Sequence, residues 1–339
     1  MGRLIAKATV QLPSYFIVYR PEEDEMNYHV KIDDLDVELR LVADEYGKFQ
    51  KGRDEEYWTT GISEIEVSVA RDEVEMPPQP AITERGGKDY TVQEKYFEKR
   101  LKEYTNVAVE AVNRVIRFFK FELRNALLQE ISVHDNDFRN IEWFDETGEV
   151  VSYEGLYYFV QPVPGLHPPL NSKRFTRDED ANLQKALDIP IIPTLYEEIL
   201  SDAQSAIFNN NLRRAVLELA IACEVMVKQK FFAEDSPLLK SSVGQVFELM
   251  EHRNKVPFSV VELISDVAER VFKRNFKADK PKDFKSIEHL FRCRNSVAHK
   301  GKLTYKNNNK KEIEVKRPVV IEWLYSVAAL MEWVESLPS

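Results

Sequence analysis

The stretch Phe291-Arg-Cys-Arg-Asn-Ser-Val-Ala-His299-Lys-Gly301 decides how the second half of this 339-residue chain is read. It closes a segment in which Ile287, Leu290, Phe291, Val297 and Ala298 recur at helical spacing, so an amphipathic helix is expected over about residues 284–297. Arg294 falls on that apolar stripe. Burying a charge is costly unless it is paired, so Arg294 needs a partner. Glu224, within a broadly apolar helical segment at 211–232, is a candidate, and a charged ligand is another. On an ideal helix, five steps of about 100° leave Arg294 and His299 about 140° apart. They converge only if the helix ends near His299 and the chain turns, and Gly301 is placed to permit that turn. Asn295 can cap the helix or orient the histidine. Arginine is always charged and forks onto phosphate. Histidine gives or takes a proton near neutral pH. The pair points to phosphodiester chemistry without a metal.

Charge singles out the same region. The chain holds 47 Lys and Arg against 57 Asp and Glu, a net charge of −10, which argues against a general nucleic-acid binder. Between Arg270 and Arg317, however, 16 basic residues stand against 5 acidic ones. A basic island on an acidic protein fits a local polyanion site. A solvated lysine-rich loop is the plainer reading of the same run. With 43% hydrophobic and 31% charged residues, a core is affordable and global disorder is excluded. No apolar run reaches the ~18 residues of a membrane span. The start, Met-Gly-Arg-Leu-Ile-Ala-Lys, lacks the apolar stretch of a signal peptide. Cys223 and Cys293 both lie in helical patterns and read as reduced, packed residues, so a cytoplasmic location is expected. Two cysteines and scattered histidines leave no zinc-site spacing, and no cofactor is expected.

Working outward, residues 1–160 read as an α+β domain. Leu4, Ala6, Ala8, Val10 and Leu12 alternate as in a strand, and short β-type runs follow at 15–19, 37–41 and 65–69. A helical pattern runs from about 91 to 129 through Phe97, Leu101, Tyr104, Ala108, Val112, Val115, Phe119, Leu123 and Ala126. Unbroken it would span ~60 Å, longer than a compact domain needs, so a kink or break is expected. Strand signals return at 140–144, 150–153 and 156–160, the first two around the turn Asp145-Glu-Thr-Gly148. Residues 161–193, with Pro162, Pro164, Pro168, Pro169, Pro190 and Pro193, read as a stiff linker. From Thr194, a helix cap, the spacing predicts an all-helical domain over 194–339, with helices near 194–208, 211–232, 243–251, 258–275, 284–297 and 318–335. A basic, Asn-rich loop or hairpin at 302–316 separates the last two. The first domain carries no Gly-rich phosphate loop and no nucleophile motif.

Arg294-Asn295-Ser-Val-Ala-His299 resembles the signature of HEPN domains (higher eukaryotes and prokaryotes nucleotide-binding). That signature is an Arg, four to six residues, then a His, with a polar residue directly after the Arg. The helical context is similar too, with the motif ending a late helix and one helix following. The resemblance covers roughly residues 190–339. It implies that the helical part, following the α+β domain, is an all-α HEPN-like bundle, acting as a metal-independent endoribonuclease whose homodimer forms one composite site. By the same resemblance His299 performs acid–base work on the ribose 2′-hydroxyl or the leaving 5′-oxygen. Arg294 stabilises the phosphorane charge, and Asn295 positions the histidine or the phosphate. Lys300 and Lys302 would hold flanking phosphates of RNA. HEPN toxins silenced by a nucleotidyltransferase often carry a Tyr two residues after the His; here that position is Gly301, so silencing by that route is not expected.

Phage defence or a toxin–antitoxin-like system is the setting the resemblance implies, with a regulatory protein partner met through the first domain. A second reading of the motif is a non-catalytic HEPN module for dimerisation and nucleotide or RNA binding. A third treats Arg294 and His299 as packing residues of a scaffold.

Overall fold

Strict alternation builds the first half. The structure, a computed structural model, describes residues 2–20, 25–43, 58–73, 77–79, 81–84, 86–89, 91–131, 138–151, 175–232, 258–307 and 309–338. Its residues divide into two compact units, 1–192 and 193–339. In the first, β1 (Gly2–Arg20), β2 (Asn27–Ile32), β3 (Leu35–Ala43), β4 (Trp58–Glu73) and β7 (Phe138–Phe144) make a five-stranded antiparallel sheet of order β2-β3-β4-β1-β7. β5 (Ala81–Ile82) and β6 (Lys88–Asp89) form a separate small hairpin. Side chains of a strand alternate between faces, so Leu4, Ala6, Val10 and Leu12 all turn inward with Leu35, Val37, Leu39 and Leu41 of β3 and Ile65, Val67 and Val69 of β4. The register of β1 on β4 shifts between Gln11 and Phe16, around Pro13, which has no N–H to give a ladder.

Helix α1 (Thr91–Arg117) covers that apolar face with Phe97, Tyr104, Ala108, Val112 and Val115. Leu101, expected inward, is 42% exposed. The expected break is a π turn at Phe118–Glu122, after which the chain leaves the helix. Leu128 and Ile131 stay buried beyond it, and Asn113 bonds both the N–H and the carbonyl of Ile131 at 2.9 Å. Asp145 folds the turn after β7 by accepting from Thr147 and Glu149, with Gly148 at φ +84°.

The end of the expected linker is not a linker. Phe175 is fully buried in the first core, and α2 (Asp180–Asp188) adds Leu183, Ala186 and Leu187 to it. Tyr28 of β2 donates to Asp180, and Gln184 to the carbonyl of His29. The short 3.6-spaced set Leu183, Ala186, Leu187 was hidden between proline-rich stretches. The earlier prolines of the linker, the strand run at 156–160 and the helix at 243–251 lie outside the described residues.

In the second unit, Thr194 begins α3 (Leu195–Phe208), with the Glu197 carboxylate accepting from its N–H and hydroxyl at 2.7 Å. Then come α4 (Leu212–Phe232) and α5, residues 260–272 with a π turn at Leu263–Val267. Lys273, at φ +56°, ends α5 earlier than the spacing predicted, and Asn275 caps the short α6 (Phe276–Asp279). α7 (Pro281–Lys300) carries the motif, and α8 (Arg317–Glu335) closes the bundle. Between them, β8 (Thr304–Lys306) and β9 (Glu312–Glu314) form a hairpin. Helix α4 is central: Val216, Leu219, Cys223 and Val227 are buried against its neighbours, as its broad apolarity predicts, while Ile221 and Phe232 stay 40% and 43% exposed. Among the described residues, no helix is long and apolar enough to cross a membrane.

Candidate functional site

The core line of α7 is Ile287, Leu290, Cys293 and Val297. Arg294 therefore sits one helical step off that line, half-buried, and Ala298 is exposed rather than inward. The expected stripe was rotated by one residue, because Phe291 and Ala298 are apolar but lie off the core line, Phe291 half-buried and Ala298 exposed. Arg294 leans toward α4, where its Nη2 is 3.8 Å from Oε2 of Glu224; the two side chains are 35% and 34% exposed. Oε1 of the same carboxylate accepts from Lys228 at 2.6 Å. Nη1 of Arg294 donates to Oδ1 of Asn295 at 3.2 Å.

His299 does not join this group. α7 continues through Lys300 and turns only at Gly301, at φ +64°, whose N–H returns to the Val297 carbonyl. His299 stays about 140° around the helix from Arg294, exposed beside Asn295 and Lys300. A single chain thus brings Arg294, Asn295 and Glu224 together and leaves His299 on an adjoining, solvent-facing strip.

The Arg294 side of the motif is framed by apolar surface. Phe291, Arg294 and Ala298 share a face of α7, and Leu217, Ile221, Glu224 and Val225 share one of α4. The ion pair sets these faces side by side, with Ile221 and Ala298 exposed.

On the other flank lies the hairpin, only a loop or hairpin in the sequence. Ser296 and Thr304 hydroxyls are 3.2 Å apart, and Arg292 donates to the carbonyl of Lys306. The Tyr305 ring stacks on His289 at 4.5 Å and meets the edge of Trp323. Burial, then the charges of Arg292 and Lys285, hold the His289 pKa below its ordinary value. Lys300 and Lys302 are exposed at the hairpin's base. Glu312 accepts from the Thr304 hydroxyl at 2.7 Å. That bond, and then Lys302, Lys300 and Lys306, lower its carboxyl pKa.

In the first unit, the open face of the sheet holds a polar concavity of about 660 Å³ lined by residues that include Lys7, Glu38, Arg40 and Glu66. Among the described residues, no group of three or more His, Cys, Asp or Glu is placed to hold a metal ion. Comparison of the chain with family models, curated proteins and solved structures returns no match.

Proposed function

We propose that this chain is a metal-independent endoribonuclease of HEPN type that works as a homodimer. The observation that carries the reading is the setting of the motif: a half-buried arginine inside a partly exposed apolar face, bordered by an exposed asparagine and histidine. A second copy laid on that face would bury Ile221 and Ala298. It would also bring a second His299 to the Arg294 side, offsetting the 140° that separates them in one chain.

RNA carries its own nucleophile, so the protein supplies proton transfer and charge stabilisation. One His299 takes the proton of the 2′-hydroxyl as that oxygen bonds to phosphorus. The bond from phosphorus to the 5′-oxygen breaks, and the other His299 returns a proton to that oxygen. The products are a 2′,3′-cyclic phosphate and a 5′-hydroxyl. Arg294, released from its loose hold on Glu224, faces the charge on the phosphorane, and Asn295 orients the phosphate. Lys300 and Lys302 hold the neighbouring phosphates. The polar sheet face of the first unit is the proposed meeting place for a regulatory protein, and defence against phage is the proposed setting.

RNA cleavage in EDTA tests the chemistry. His299→Ala is expected to lower the rate by about 10²–10⁴-fold, the usual share of general acid–base catalysis. A wild-type protein that cuts no RNA, or a variant that cuts as fast, overturns it. The looseness of the Arg294–Glu224 contact and its distance from His299 also suit a module that binds without turnover. RNA binding that survives His299→Ala, with no cleavage by wild type, would favour that second reading.

A further inference from the structure

We propose that the outward face of the β8–β9 hairpin is a phosphate subsite for the RNA strand, and that Glu312 fills it in the free protein as an internal stand-in for phosphate. This rests on the ribonucleic-acid reading of the motif and extends it to residues that the motif does not contain.

Alternation along the strand puts Thr304 and Lys306 on one side and Tyr305 on the other, and Lys302 is exposed just before it. Tyr305 is the anchor, stacked on His289 and against Trp323, while Arg292 fixes the backbone at Lys306. The outward side is therefore held in place by the inward one. In the ladder Glu312 stands directly opposite Lys306, and it accepts a hydrogen bond from the Thr304 hydroxyl at 2.7 Å. Lys302, and Lys300 at the end of α7, add positive charge that lowers the carboxyl pKa of Glu312. A hydroxyl bonded to the carboxylate, Lys306 opposite it in the ladder, and the positive charges of Lys302 and Lys300 that it feels are the kind of groups that a phosphate takes up. Ser296, which meets Thr304 at 3.2 Å, lies one helical turn before His299 and Lys300, so this surface adjoins the catalytic strip.

Glu312 is exposed, and attractions between exposed charges are weak because water and salt compete for both. Displacing its carboxylate with an RNA phosphate is therefore easy, and the lysines keep an anion throughout. The carboxylate sets a threshold: a ligand must outcompete it, which a strand with several phosphates does and a lone anion does not. Glu314, opposite Thr304, adds to the same screen.

The test is binding of a 2′-O-methyl oligoribonucleotide, which lacks the nucleophilic hydroxyl, measured across a salt series by fluorescence anisotropy. Glu312→Gln keeps an acceptor for Thr304 and removes the charge. It is expected to tighten binding about threefold to fivefold, the scale of one exposed charge pair. Lys306→Gln should weaken binding and reduce the salt slope by about one phosphate contact. Unchanged binding in both variants overturns the subsite. RNA cleavage by the wild type is measured beside it. Cleavage with no effect of either variant sinks the subsite alone. A Glu312→Gln gain with no cleavage keeps the subsite and sinks the ribonuclease reading.

Discussion

Arg294 is one-third exposed, and its nearest carboxylate is 3.8 Å away and shared with Lys228. Such a pair is worth about 0–1 kcal/mol, whereas breaking a buried one costs about 3–5 kcal/mol. Arg294→Ala should therefore leave a folded protein, with an unfolding free energy lowered by no more than about 1 kcal/mol in urea titration. A loss of about 3 kcal/mol or more would make Arg294 a packing residue, as a pure scaffold requires. If the variant folds and cuts no RNA, the arginine is retained for the ligand. The sequence could not show this, since it put Arg294 on the buried stripe. Neighbouring residues on a helix lie about 100° apart, so Cys293 and Arg294 compete for the same inward place. Periodicity alone cannot choose when Phe291 and Ala298 supply apolar residues on the outer side. The Arg294–Glu224 pairing was legible because a charge at the edge of a core needs an opposite one within reach.

The hairpin between α7 and α8 is where pH should act. Burial first, then Arg292 and Lys285, hold the His289 imidazole below its ordinary pKa, while Glu288 of α7 and Glu322 of α8 pull the other way, and the Tyr305 ring covers one side. A depressed histidine pKa means that the unfolded chain takes up the proton more readily. The stabilisation is thus whole above the unfolded value near 6.5 and is lost as pH falls below it. Unfolding in urea at pH 7.5 and pH 5 should show a loss on acidification that His289→Gln reduces; equal losses in the two proteins would remove His289 as its source. Turns and hairpins of this kind are legible only coarsely. The run 302–316 announced a break between helices, but the stacking of Tyr305 on His289 depends on how the hairpin folds back, which no local spacing encodes. β2 was missed although Tyr28, Val30 and Ile32 alternate, because six residues between two acidic stretches of sequence make a weak signal. α2 was missed for a similar reason, having a single apolar edge only nine residues long.

The two units differ in charge. Residues 1–192 carry 24 Lys and Arg against 37 Asp and Glu, and residues 193–339 carry 23 against 20. The first unit repels a polyanion and the second admits one, so RNA contact is expected to concentrate on the helical unit. The sheet-then-helices order was legible throughout, since alternation and 3.6-residue spacing are strong over long segments. The proposed homodimer came from the resemblance alone, because a symmetric contact leaves no trace in one chain beyond exposed apolar surface. Ile221→Asp places a charge in the proposed contact face. It should convert a dimer into a monomer in sedimentation velocity and reduce RNA cleavage with it. A monomer that cuts at the wild-type rate would exclude a composite site. Cys223 and Cys293 are buried, and burial pushes both thiol pKa values up to about 12. A thiol so rarely ionised is a poor nucleophile. One new cysteine at the hairpin tip, at the exposed Asn309, could therefore take a maleimide dye in the otherwise native chain, and the hairpin's encounter with RNA could be followed by its fluorescence.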